Sequence, residues 1–191
     1  MRKTFTILAL ILAVSAILVG CSPKVDVNEP ITHTGNGIEL TLPRYMRAET
    51  VEDYDMYFSN LAIVLTVEAV DQEMLDSLEL REDVTRADFV ERILEINSLD
   101  KSKLENYVES DELKQTAFSY IVREESEDGV DLGTGTFVYV IIVGEASNLH
   151  YVSILCEVNY GDDNVNMFND WRKNIKSVPK TEARGKFSLS D

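Results

Sequence analysis

The sequence predicts an α+β domain in which a single antiparallel β-sheet carries two or three helices, an α/β sandwich. Three observations predict it. From Leu113 to Val158, apolar and polar residues alternate through successive runs separated by turn signals, the pattern of a strand meander. From Thr85 to Asn97 apolar residues recur at helical spacing, and a second such stripe closes the chain around Trp171. Strands, a helix, a meander and a closing helix are most simply satisfied by one sheet with the helices packed on it.

The domain is expected to run from Gly37 to Val178. Gly37-Ile38-Glu39-Leu40-Thr41-Leu42-Pro43 alternates as a half-buried strand closed by proline. Tyr54 to Phe58 gives a short strand. Leu61 to Val70 gives a stronger one, with Leu61, Ile63, Leu65, Val67 and Ala69 on one face. Asp71 to Leu80 has room for one or two helical turns. Thr85 followed by Asp88 resembles a capping box with Asp in place of Glu or Gln, and Phe89, Val90, Ile93, Leu94 and Ile96 form the stripe of that helix. Leu104 to Val108 is a further short strand.

In the meander, Thr116, Phe118, Tyr120 and Val122 share a face. Asp128-Gly129 favours a hairpin, because both residues tolerate positive φ. Thr136 to Val143 is apolar on both faces, as a central covered strand is. Gly144 to Asn148 turns the chain, and His150, Val152, Ile154, Cys156 and Val158 line one face of the next strand. Asp162, Asp163 and Asn164 offer N-caps for a last helix reaching about Ser177. Met167, Phe168, Trp171, Ile175 and Val178 make its stripe, and Lys173 and Lys176 suit its C-terminal end. Residues 179–191 read as a polar tail.

The N-terminal segment has a different character. Arg2 and Lys3 precede an uncharged run from Phe5 to Leu18, followed by small residues and a cysteine, the order of a secretory signal. The run is too short for a spanning helix, which needs about 20 apolar residues. Leu18-Val19-Gly20-Cys21 resembles the lipobox of bacterial lipoproteins. That resemblance implies that residues 1–20 are a signal peptide, that Cys21 carries a diacylglyceryl group, and that the domain lies lipid-anchored on the extracytoplasmic side of the cell membrane. Residues 21–36, mostly polar and holding Pro23 and Pro30, read as a flexible tether. With Cys21 lipidated, Cys156 has no partner, so no disulfide is expected despite export.

The opening Gly37–Pro43, the mid-chain helix, the long meander and the ending Trp171-Arg172-Lys173-Asn174-Ile175-Lys176-Ser177-Val178 resemble the PsbP-like fold. The resemblance implies an α/β sandwich that serves as a non-catalytic accessory to larger extracytoplasmic assemblies.

The chain of 191 residues has 18 Lys+Arg against 34 Asp+Glu, a formal charge of −16. Such a field repels phosphates, so nucleic acid is excluded as a partner. The acidic run Glu124–Asp131 fails as a calcium loop. With Gly129 at the sixth position, Glu124, Ser126 and Asp128 fall at the first, third and fifth, but Gly135 occupies the twelfth, where a bidentate Glu is needed. A solvated hairpin tip is the simpler reading. His33 falls in the tether and His150 in a strand. Ser153 or Ser119 could be paired with His150 on paper, but nothing resembles a nucleophile elbow. Gly133-Thr134-Gly135 precedes a strand rather than the helix N-terminus that a phosphate loop requires. Cys156, among Val152, Ile154 and Val158, reads as a buried small hydrophobe.

No catalytic residue, cofactor or metal is therefore expected, and the chain is not expected to be an enzyme. The function expected is that of a membrane-anchored binding or assembly module with an envelope protein partner. Tyr45, Tyr54 and Tyr57 are its candidate recognition surface. The alternatives are a small-ligand or divalent-cation binder, and an envelope enzyme using carboxylates among Glu124, Glu125, Asp128 and Asp131.

Overall fold

The computed structural model describes residues 28–125 and 131–180. Cys21, the signal segment, the Asp128-Gly129 turn and residues 181–191 lie outside them.

Ten strands and three α-helices follow one another in these residues. The strands are β1 (Pro30–Gly35), β2 (Ile38–Pro43), β3 (Arg47–Glu49), β4 (Met56–Ser59), β5 (Ile63–Ala69), β6 (Val108–Ser110), β7 (Gln115–Glu125), β8 (Asp131–Val143), β9 (His150–Glu157) and β10 (Ile175–Ser177). Helices α1 (Gln72–Ser77) and α2 (Arg86–Ile96) fall between β5 and β6, and α3 (Val158–Arg172) between β9 and β10. The class is α+β, with all pairings antiparallel.

Two sheets form where the sequence suggested one. The larger has the order β3-β4-β5-β9-β8-β7-β6, and the smaller β1-β2-β10. The reason is that β2 finds both its neighbours outside the large sheet, β1 on one side and β10 on the other. Its buried residues Ile38, Leu40 and Leu42 then pack face to face on the large sheet's core side. That face spans Ile63, Leu65, Val67, Tyr139, Ile141, Val152 and Ile154, more than one helix can cover, so the small sheet and α3 share it. The opposite face, with Phe118, Val138, Val140 and Ile142, is covered by Leu75, Val84, Phe89, Val90, Ile93 and Leu94 from the α1–α2 region. Strand β8 is buried on both sides from Phe137 to Val143, as its two-faced apolar run requires.

Helix α2 starts as its sequence implies. Thr85 caps the Asp88 amide and Asp88 reciprocates to the Thr85 amide, a complete capping box. Helix α3 departs from expectation. It begins at Val158, directly after β9, so Asp162, Asp163 and Asn164 lie inside it and cap nothing. It ends at Arg172, and Ile175, which continues the helical spacing from Trp171, belongs instead to β10 opposite Leu40. Gly161 lets α3 approach β8. A Cβ there would lie 2.1 Å from the Phe137 ring, so only glycine permits the contact. Phe168 and Trp171 fill the space below, and burying each contributes roughly 2–3 kcal/mol.

Residues 30–35, expected to be part of a tether, are folded instead. Pro30–Gly35 forms an edge strand paired residue for residue with β2. The turn between them is Asn36-Gly37 with φ of 44° and 87°, the two positive values that a tight hairpin demands. His33, assigned to the tether by sequence, packs edge-on against Phe58 at 4.7 Å. The short strand expected at Leu104–Val108 forms at Val108–Ser110 instead.

Candidate functional site: two ends of the large sheet

The strand register gives the large sheet two dissimilar ends. At one lie the start of β9, the end of β8 and the end of β5, since Ala69 and Val143 both face His150. At the other lie the β4–β5 turn, the end of β9, the end of β7 and the start of β8, since Ile63 faces Cys156 and Glu125 faces Asp131.

The first end carries an acidic cleft of about 610 Å³. Glu52, Asp53 and Asp55 reach it from the β3–β4 loop, Glu68 from β5, and Asp71 and Glu73 from the start of α1. Two of these acids have structural duties. Asp55 accepts the Asn36 side-chain amide at 2.8 Å and the Ala69 backbone amide at 2.6 Å, tying the β1–β2 turn to β5. Asp71 caps α1 by accepting the Met74 amide at 2.9 Å. Glu68 is half-buried. Its own desolvation and then the charges of Asp55, Asp71 and Asp53 push its carboxyl above the ordinary value. The arrangement concentrates negative potential, which attracts cationic groups and holds a proton on Glu68 more readily than on an isolated glutamate. Among the described residues no three His, Cys, Asp or Glu side chains converge closely enough to chelate a metal.

Tyr54 lines the same cleft, and its ring lies 5.9 Å from that of Tyr57. Tyr45 is not with them. It lies 6.4 Å from the Trp171 ring and donates from its hydroxyl to the Met167 sulfur at 3.5 Å, closing the core edge at α3. Of the three predicted recognition tyrosines, the structure therefore brings two together.

Beside the cleft, His150 is fully buried. Its Nε2 is 2.9 Å from the Asn36 carbonyl oxygen, and burial holds its pKa below the ordinary value. Among the described residues it joins no hydrolytic arrangement. Ser153 lies on the opposite face of β9, hydroxyl to hydroxyl with Thr66 at 2.8 Å, and Ser119 interacts with Asn106 near the β6 edge. His150 and Asp55 thus both hold the Asn36-Gly37 turn, one through its backbone and the other through its side chain.

The second end carries an open cleft of about 910 Å³, whose lining includes Asn60, Leu61, Val64, Arg123, Leu155 and Glu157. Cys156 borders it from the core side. Burial first, then Asp162 and Glu157, push its thiol up to about 11, so it is a poor nucleophile at neutral pH. Its packing matches the buried small hydrophobe read from sequence.

The acidic cleft was not read from the sequence. Its six carboxylates are spread over residues 52–73 with no fixed spacing, and only the fold of the β3–β4 loop against α1 gathers them.

No family model matches the chain, and no curated protein matches it. Among solved structures it is similar to the cyanobacterial PsbP, CyanoP, of Synechocystis sp. PCC 6803, 14% identical over 84% of this chain and 99% of that one, with a TM-score of 0.46. It is also similar to a mutant of the protein Mog1, 12% identical over 80% and 97% with a TM-score of 0.48. The Ran-binding protein Mog1p of Saccharomyces cerevisiae is 12% identical over 79% and 95%, also with a TM-score of 0.48. At this similarity no site or activity transfers.

Proposed function

We propose that the chain is an extracytoplasmic lipoprotein, anchored through Cys21, whose domain is a non-catalytic module that docks a protein partner bearing a basic surface. The observation that carries the docking role is the acidic cleft bordered by the Tyr54–Tyr57 pair. Carboxylates in a shared field steer a cationic partner into register, and tyrosines supply rigid contact area at low entropic cost. The anchor rests on the Leu18-Val19-Gly20-Cys21 signal, and a membrane-bound address suits a module that holds something close to the surface.

The test is cross-linking in intact cells, comparing wild type, Cys21→Ser and the charge reversal Asp53→Lys/Glu73→Lys. Neither acid makes a described hydrogen bond within the fold, and a melting temperature for the reversal, in which Glu73→Lys also opposes the dipole of α1, checks that the domain stays folded. A partner captured by wild type and lost in both variants fits the reading. Capture that survives the charge reversal overturns the cleft as the docking surface, and membrane retention of Cys21→Ser overturns the anchor. A melting temperature that rises with calcium would favour a divalent-cation binder instead.

A further inference from the structure

The last described residues lie beside the acidic cleft. Val178 donates its amide to the Gly37 carbonyl at 2.9 Å, and Asn148 donates its side-chain amide to the Val178 carbonyl at 2.9 Å. The segment leaving β10 is thereby pinned to the β1–β2 turn. Two residues on, the Lys180 ammonium donates to the Ser147 carbonyl at 3.1 Å. Its stem lies so close over Gly37 that a Cβ there would come within 2.8 Å of it. The other turn residue, Asn36, is the one whose side-chain amide Asp55 accepts at the wall of the cleft. His150, buried against the turn, feels the charges of both Lys180 and Asp55. A two-residue turn is therefore all that stands between Lys180 and the first of the carboxylates.

The residues that follow Lys180 carry the opposite charge. The whole chain has 18 Lys+Arg against 34 Asp+Glu, but in Lys180-Thr181-Glu182-Ala183-Arg184-Gly185-Lys186 three cations stand against one acid. Arg184 is four residues from Lys180 and Lys186 six, so drawn-out backbone carries them about 13 Å and about 20 Å away. Asp55 itself joins the turn to the Ala69 amide at 2.6 Å, one residue from Glu68, so the far wall of the cleft falls within that reach. A short tether presents these cations to the cleft at an effective concentration on the order of millimolar. Phe187, next in the chain, offers a ring to the Tyr54–Tyr57 pair that borders the cleft.

We propose that Arg184 and Lys186 occupy the acidic cleft of their own chain, pairing with Glu68, Asp53 and Glu73, so that a basic partner gains the cleft only by displacing this segment. The proposal rests on the reading of the cleft as a docking surface and adds how that surface is regulated. Six carboxylates sharing one cleft repel one another, and a cation from the same chain relieves that repulsion without the loss of translational freedom that a separate partner incurs. Asp55 and Asp71 keep their structural bonds to Asn36, Ala69 and Met74 throughout. A tethered occupant also sharpens selectivity, because a partner that binds the cleft weakly does not dislodge it.

The test uses the full-length protein with photoreactive p-benzoylphenylalanine in place of Phe187, and a fluorescent octalysine peptide standing in for a basic partner. Irradiation should give an intramolecular cross-link to residues 52–77, the stretch that lines the cleft, and Arg184→Gln/Lys186→Gln should abolish it. A cross-link elsewhere, none at all, or one that survives the double variant overturns the proposal. Residues 181–191 hold Arg184 and Lys186 against Glu182 and Asp191, so deleting them leaves the formal net charge unchanged. Octalysine should nevertheless bind the deleted protein about tenfold more tightly, the gain for a cleft otherwise filled roughly nine-tenths of the time. Equal binding by the two proteins, abolished in each by Asp53→Lys/Glu73→Lys, removes the segment as occupant while the cleft reading stands. Octalysine binding that ignores the cleft reversal, or no binding to either protein, sinks the cleft reading and this proposal with it.

Discussion

The two ends of the large sheet are built from the same strands and do opposite things. Where β5, β8 and β9 meet near His150, polar groups are spent holding the fold. Asp55, Asn36 and His150 clamp the small sheet's turn, and Asn148 donates to Gly37, Ser177 and Val178. At the β4–β5 end the described side-chain bonds tie the turn to itself and to the β3 region, Asn60 to the Ala62 and Ile63 amides and to the Met46 sulfur and Ser59 to Glu49, and Leu61 is left in water. The difference teaches where stability and contact separate. Substitutions of the clamping groups should move stability, and those of Asp53, Glu73 or Leu61, whose side chains make no described hydrogen bond, should leave it nearly unchanged.

The largest effect is expected at Gln115, a fully buried side chain at the clamped end. It accepts from Arg172 Nη1 at 3.1 Å and donates to the Arg172 carbonyl at 3.1 Å and to that of Ile175. It therefore joins β7 to the end of α3 and to β10. Gln115→Ala leaves a buried guanidinium and two carbonyls without it, which should cost about 3 kcal/mol. The loss would appear as a fall in melting temperature of about 6–12 °C for a domain this size. A double variant Gln115→Leu/Arg172→Met should lose clearly less, because both polar partners go together. Equal losses would show that packing, and not the polar link, sets the cost.

A smaller effect, with a definite sign, is expected from pH. Burial lowers the pKa of His150 below its unfolded value, and of His33 likewise. The folded state therefore binds fewer protons than the unfolded chain. Stability should be fully present above the unfolded value near 6.5, and fall as pH drops through it toward the folded pKa. Urea midpoints at pH 7.5 and 5.5 measure this before most carboxylates titrate. His150→Gln should flatten the slope, leaving the part due to His33; an unchanged slope would remove His150 from the account.

Much of this architecture was legible in the sequence, and the misses have physical causes. The two-faced run of β8, the Thr85–Asp88 box and the alternation of β5 from Ile63 on each report a local rule and appear where the rule puts them, whereas Leu61, read as the first residue of the β5 apolar face, stands exposed in the turn before that strand. Strand β1 was missed because Pro30-Ile31-Thr32-His33-Thr34-Gly35 buries little as an edge strand. The overlooked signal was Asn36-Gly37, whose tight-turn chemistry outweighs the weak apolar pattern before it. The end of α3 was misplaced because Ile175 follows Trp171 by four residues, a spacing that a helix stripe and a strand entry satisfy equally. Which strands share a sheet is not written in any periodicity, so one sheet was expected where two form. The pairing of Tyr54 with Tyr57 beside six carboxylates likewise needed the loop's fold.

Glu68 tests the acidic end from its other side. Its raised pKa means that the ionised form is disfavoured in the folded state. Folding is therefore relatively favoured as pH falls through its folded pKa toward the unfolded value, and near neutrality the charge is a net cost. Glu68→Gln should stabilise the domain by a few tenths of a kcal/mol at pH 7, the group being only half-buried. The same variant should weaken capture of a basic partner. A gain in stability with undiminished capture would make the acids a solvated surface with no docking role.

The smallest stability effect belongs to the other end. Leu61→Ser removes a side chain that touches little, and the Asn60 bonds that hold the turn are to backbone. Its melting temperature should match wild type, within about 0.5 kcal/mol. Unchanged stability would show that the fold does not lean on Leu61 at this end. A large stability loss would instead place Leu61 in the core's service and erase the contrast between the two ends.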